Sequence, residues 1–162
     1  MKRLLIGLIT AATCLAPPVM ASTWADTQEL IEIVESTGTT VTSTVCDRNV
    51  QGYYQINTRA NIDQITICKN NIDSQDPHAV WEVVAHESIH VAQACLGENI
   101  FKDTYLPRIF RGLRTEAPHY IRILDQYSSE DRLLEAEAFY SELLTPGDVK
   151  SIVKKACGIK PS

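Results

Sequence analysis

The sequence predicts an α+β domain in which a small, mainly antiparallel sheet comes first and a helical half follows it. Three observations lead there. Between Thr39 and Cys68 the chain is rich in β-branched residues and alternates apolar with polar positions. From Pro77 to Leu96 it carries one long apolar segment with explicit start and stop residues. Beyond that segment, the pattern that opens a helix recurs at Ser128 and Thr145.

The elements follow in order. Met1-Lys2-Arg3 is a basic start to the apolar run Leu4 to Leu15, Pro17 and Pro18 break the run, and Val19-Met20-Ala21 offers a cleavage site. This is the profile of a signal peptide over residues 1–21, cut after Ala21, which predicts a secreted or periplasmic protein. The run is shorter than the roughly 20 apolar residues of a spanning helix, and no later segment is apolar enough to span. Residues 22–162 are then one domain, long enough to bury a core.

Thr27 to Glu35 places Leu30, Ile31, Ile33 and Val34 among acidic residues before Gly38, the pattern of a short amphipathic helix. Strands are expected at Thr39–Cys46, Gly52–Ile56 and Asp63–Cys68, with Ile65-Thr66-Ile67 as the edge along which an extended peptide pairs. Asp76 can accept from the free amides of a helix start, and Pro77 loses nothing at the first helical position. The helix that follows should run to about Leu96 and stop at Gly97. Glu98 to Glu116, around Pro107 and Gly112, shows no clean period and reads as loop with one short helix. Pro118 to Gln126 opens another helix, and Ser128 with Asp131 forms a capping box for a helix over about Ser129 to Leu144. Thr145-Pro146-Gly147-Asp148 starts the last helix, which should end near Gly158.

With 15 basic and 20 acidic residues the formal charge is -5, and no basic stripe is present. A nucleic acid partner is therefore not expected. Cys46, Cys68, Cys95 and Cys157 follow the leader, and none are spaced as C-x-x-C, so they read as two structural disulfides. Pairing Cys46 with Cys68 would fasten the sheet. Pairing Cys95 with Cys157 would clamp the end of the long helix to the last one.

The chemistry lies in His86-Glu87-Ser88-Ile89-His90. Four residues at about 100° each put both imidazoles on one helical face, where they can share one Zn²⁺. Glu87 is turned away from that ligand row and is expected to act as general base, taking a proton from the attacking water. Val80, Trp81, Val83, Val84, Ala85, Ile89, Val91 and Ala92 make the helix apolar on most faces, hence buried. Polar groups at its centre are costly to desolvate unless something pairs with them, and a metal does so directly. No third histidine follows at the spacing of H-E-x-x-H-x-x-G-x-x-H, because the chain continues Val91-Ala92-Gln93-Ala94-Cys95-Leu96. The third ligand should come from another helix, and Leu134-Glu135-Ala136-Glu137-Ala138-Phe139 offers carboxylates among small residues. Periodicity leaves Glu135 and Glu137 as alternatives.

On these residues the chain resembles the gluzincin metallopeptidases, in which H-E-x-x-H is completed by a glutamate on a later helix, often within E-x-x-A-D. Glu135-Ala136-Glu137-Ala138 matches four of those positions. The resemblance implies a zincin-like fold, Zn²⁺ held by His86, His90 and Glu135, Glu87 as base, and a peptide or protein substrate. Phe139 stands where many members have the aspartate that orients a ligating histidine, and Asp131 or Glu142 is expected to replace it. His119 and Tyr140 are the candidate oxyanion donors. His78 is expected to face solvent, and Gln93, one turn past His90, to line the site. The rival reading is an exported, non-catalytic zinc-binding module with the same ligands.

Overall fold

The computed structural model describes residues 22–160. The predicted leader, residues 1–21, lies outside them. The described residues form six α-helices and a three-stranded sheet: α1 (Trp24–Glu35), β1 (Thr40–Thr44), β2 (Gly52–Asn57), β3 (Ile62–Cys68), α2 (Pro77–Leu96), α3 (Leu106–Glu116), α4 (Pro118–Leu124), α5 (Asp131–Ser141) and α6 (Pro146–Ala156), with a 3₁₀ turn at Asp103–Tyr105. This is an α+β domain, sheet before helices, as expected. No helix among the described residues is long and apolar enough to cross a membrane.

The sheet corrects two expectations. Its order is β1-β3-β2, with β1 parallel and β2 antiparallel to β3, so it is mixed. The chain leaves β1, forms the far edge as β2 and returns between them, which makes β1 and β3 run the same way. Ile65-Thr66-Ile67 therefore belongs to the central strand, and both of its edges are taken. The open edges belong to β1 and β2. In the β2–β3 ladder, Cys68 N–H donates to Gln51 C=O at 2.9 Å across the register Gly52↔Ile67 and Tyr54↔Ile65. That phase turns the backbone groups of Gly52, Tyr54 and Ile56 away from β3, toward the open edge.

Local chemistry sets α2 as read. Asp76 accepts from His78 N–H at 2.9 Å, Pro77 opens the helix, and Gly97 closes it at φ +72°. Thr23 and Asp26 form a full capping box that starts α1 three residues before the expected point. The helix expected over about 129–144 is shorter, Asp131–Ser141, with Ser128 Oγ still capping the Asp131 N–H at 3.2 Å.

α2 lies between two apolar clusters. On one side Leu30, Ile33 and Val34 of α1, Ile65 of β3 and Val149 and Val153 of α6 pack with Trp81, Val84 and Ala92. On the other, Ile109, Leu113, Leu124, Ala136 and Phe139 join α3, α4 and α5. β2 also presses on α2: a Cβ at Gly52 would meet Val83 Cγ1 at 2.4 Å and the Thr66 carbonyl at 3.1 Å. Two disulfides, Cys46–Cys68 and Cys95–Cys157, pair as expected. Such bonds persist in oxidising surroundings, of the extracellular kind.

Candidate metal centre

His86 and His90 project from one face of α2, with ring centroids 5.1 Å apart. α5 packs against α2, with the Phe139 ring 4.7 Å from that of His86, and brings Glu135 between the two imidazoles. Glu135 Oε2 lies 3.4 Å from His86 Nε2, and Oε1 lies 3.6 Å from His90 Nε2. One ligand atom from each of the three residues falls within 4.8 Å of the others. Bonds of about 2.0–2.1 Å at a tetrahedral angle would put donor atoms about 3.4 Å apart, so the two measured contacts fit a shared zinc.

The remaining hydrogen bonds set the electrostatics. His86 Nδ1 lies 2.9 Å from Glu142 Oε1, and Tyr120 donates its hydroxyl to Glu142 Oε2. Burial disfavours charge on His86, but hydrogen bonds to Glu135 and Glu142 outweigh it and lift its pKa to about 10. His90 behaves in the opposite way. Burial and the charge on His86 hold it below the usual histidine range, against the pull of Glu135. His90 Nδ1 is 2.8 Å from Gln93 Oε1 and so carries the proton, which leaves Nε2 as a lone pair facing a carboxylate oxygen. Two acceptors that converge with no donor between them call for a cation. Burial also opposes charge on Glu135, but His86, His90 and Tyr127 hold its pKa below the usual carboxylate range.

Glu87 stands beside this group and outside its ligand set. It is buried, and burial pushes its pKa up to about 7; His86 and the nearby Tyr54 N–H act downward, and Glu135 upward. A carboxylate balanced near neutrality can take up and release a proton at working pH. Beside His90 and Glu135 opens a cleft of about 760 Å³, lined also by Tyr54 and Ile56 of β2, Gln93 of α2 and Asp131 of α5.

With that geometry in place, the comparison with known proteins adds one finding. A family model matches residues 20–158. The chain belongs to the family described as Domain of unknown function (DUF8637). No curated protein and no solved structure matches it. His86, His90, Glu135 and Glu87 lie within the family's matched span, and their chemistry has to be read from the side chains themselves.

The structure brings together His86, His90, Glu135 and Glu87, and it separates other candidates from them. Glu137, the alternative third ligand, is fully buried on the opposite flank of α5, where it accepts from Ile100 N–H, Phe101 N–H and Gln93 Nε2. Of the two carboxylates expected to orient a histidine, Glu142 does so, and Asp131, at the start of α5, accepts from the Ser128 hydroxyl at 2.8 Å. His119 is exposed with its ring against Tyr120, and Tyr140 packs over Gly112 in the second apolar cluster. His78 is exposed and pairs with Glu82 at 3.4 Å, as expected of a solvent-facing residue. Three residues enter the site with roles the sequence did not show. Gln93 holds His90, Tyr120 holds Glu142, and Tyr127 brings its phenol to Glu135 from the turn before α5. Gln93 had a signal, since three residues past His90 on a helix is one turn away. Tyr120 and Tyr127 had none, because they reach the site through long-range packing alone.

Proposed function

We propose that this chain is an exported, zinc-dependent metallopeptidase of zincin-like build, with the ligand set of the gluzincin type. The observation that carries this reading is the convergence of His86, His90 and Glu135 on one point, with acceptor facing acceptor, beside a buried Glu87 poised near neutrality. Two imidazoles and one carboxylate are a donor set suited to zinc, and three protein ligands leave a position open. When bound there, zinc would polarise a scissile carbonyl and lower the pKa of a nearby water. Glu87 takes the proton from the attacking water and hands it to the leaving amine. Glu142 and Gln93 keep the two imidazoles oriented through both steps.

An extended peptide would pair with the open edge of β2 in place of the β3 edge expected from sequence. Gly52 and Ile56 offer their backbone groups there, the Tyr54 N–H being turned to Glu87, and the Tyr54 and Ile56 side chains line the cleft. Tyr127 takes the part foreseen for His119 or Tyr140: burial and Glu135 keep its phenol protonated, so it is a donor available to a developing oxyanion. The apolar run at residues 4–15 and the two disulfides agree with export.

The deciding comparison is the wild type against Glu87→Gln on an unfolded protein substrate, with and without chelator. The variant keeps size and hydrogen bonding but has no proton acceptor. Hydrolysis should drop by about 10² to 10⁴, the usual contribution of a positioned general base, at unchanged zinc content. Equal hydrolysis by both proteins would overturn the mechanism. Zinc binding with no hydrolysis by either would favour the non-catalytic module.

A further inference from the structure

His90 can offer a metal either of its ring nitrogens, and what it offers is decided two residues away. Glu137 lies on α5 with no exposed surface, and all three of its neighbours are donors: Gln93 Nε2 at 3.0 Å, Ile100 N–H at 2.9 Å and Phe101 N–H at 2.8 Å. The Gln93 amide has a second acceptor at its nitrogen, the Leu134 carbonyl at 3.0 Å. A carbonyl and a carboxylate can only accept, so the NH₂ of Gln93 must point at them, and its oxygen must point at His90 Nδ1, 2.8 Å away. An oxygen there requires the proton on Nδ1. The lone pair is then on Nε2, the atom that faces Glu135.

We propose that Glu137 and Gln93 are positioning residues that act in series to select Nε2 of His90 as its metal-binding atom. The same carboxylate holds the turn after α2, whose Glu98 and Asn99 line the cleft, to the ligand helix. This rests on the metal-centre reading above, but it is testable on metal-free protein. Buried glutamate at this position is costly to desolvate, and three donors satisfy it; loop anchoring alone would need only the two backbone amides.

The chain of acceptors makes specific substitutions informative. In Glu137→Leu the Gln93 amide keeps the Leu134 carbonyl and loses the carboxylate oxygen that it shares with Ile100 N–H, so its oxygen is held on His90 Nδ1 by one anchor where there were two. Gln93→Leu removes the acceptor for Nδ1–H outright while leaving Glu137 its two loop amides.

The experiment reads the ring nitrogens of His90 by ¹⁵N NMR in the metal-free full chain, and zinc affinity by chelator competition. The wild type should show Nδ1–H. Gln93→Leu should shift the population to Nε2–H and weaken zinc by about 10- to 100-fold, the usual effect of losing an outer partner, and Glu137→Leu should move both in the same direction by less. Nε2–H in the wild type, or single variants that fold with both disulfides and keep Nδ1–H at full zinc affinity, would overturn the proposal. If Glu137→Leu fails to fold, Gln93→Leu decides alone. Wild type that binds no zinc but shows Nδ1–H would sink the metallopeptidase reading and leave the relay standing.

Discussion

Zinc affinity should keep rising with pH well above neutrality, because a proton must leave His86 before its Nε2 can bind a metal. Hydrogen bonds from both ring nitrogens to Glu142 and Glu135 hold that proton and lift the pKa from 6.5 to about 10, in spite of burial. His90 and Glu135 have pKa values below their ordinary ranges, so neither holds a further proton at pH 7. One proton is then displaced per zinc. Affinity should climb tenfold per pH unit, or about 1.4 kcal/mol, and gain roughly two decades between pH 7 and pH 9. Two ordinary histidines with pKa about 6.5 would give a plateau from about pH 7.5. The metal-free protein should behave in the opposite sense. The raised His86 pKa contributes stability that is fully present below pH 6.5 and is lost as pH rises toward 10. The raised pKa of the buried Glu87 removes stability between pH 4.5 and about 7. Chelator competition at each pH gives the affinity, and calorimetry in buffers of different ionisation enthalpy counts the protons. A plateau above pH 7.5 with no proton released would refute the reasoning, and Glu142→Gln should move the plateau to lower pH.

Further outcomes follow from particular contacts. Glu135→Ala should abolish stoichiometric zinc by elemental analysis, and retention of zinc in that variant would remove α5 from the site. Gly52→Ala sets a methyl 2.4 Å from Val83 Cγ1, so β2 must move off α2; a loss of about 1–3 kcal/mol in denaturant unfolding is expected, and an unchanged midpoint would show that strand and helix are not in contact. Replacing Cys95 and Cys157 by serine opens a loop with sequence separation 62, worth about 4 kcal/mol in the chain-entropy model, against about 3 kcal/mol for the separation of 22 at Cys46–Cys68. The first pair should therefore cost more thermal stability than the second, and the reverse order in calorimetry would contradict the entropic account.

What could be read from the sequence is what short-range chemistry decides. Asp76, Pro77 and Gly97 carry the bounds of α2 in their own side chains, and the spacing of His86 and His90 carries the shared face. Strand order was not legible from periodicity, because pairing joins distant segments. The cysteines contained a clue to it: Cys46 follows the end of β1 and Cys68 ends β3, so bonding them side by side requires those strands to run parallel. The stretch after Gly97 showed one short helix without its bounds, and the structure puts a 3₁₀ turn at Asp103–Tyr105 directly before α3. At the candidate metal centre, Glu135 and Glu137 are equivalent by pattern and differ by where α5 lands on α2. One turns to the histidines and the other to the turn at Ile100 and Phe101.

The two apolar clusters on either side of α2 divide the centre in an uneven way. Both disulfides lie on the side of the sheet, α1 and α6, whereas α3, α4 and α5 are held to α2 by packing, by Glu137 and by the contacts of Glu135 and Glu142. The bolted half keeps both imidazoles, and the unbolted half supplies the carboxylates. A partial opening of the unbolted half lifts Glu135 and Glu142 away together and leaves His86 and His90 standing on an intact helix. A metal lodged there would act as the missing cross-link of that half, and its loss would be felt first as a loosening of three helices, long before the sheet gives way.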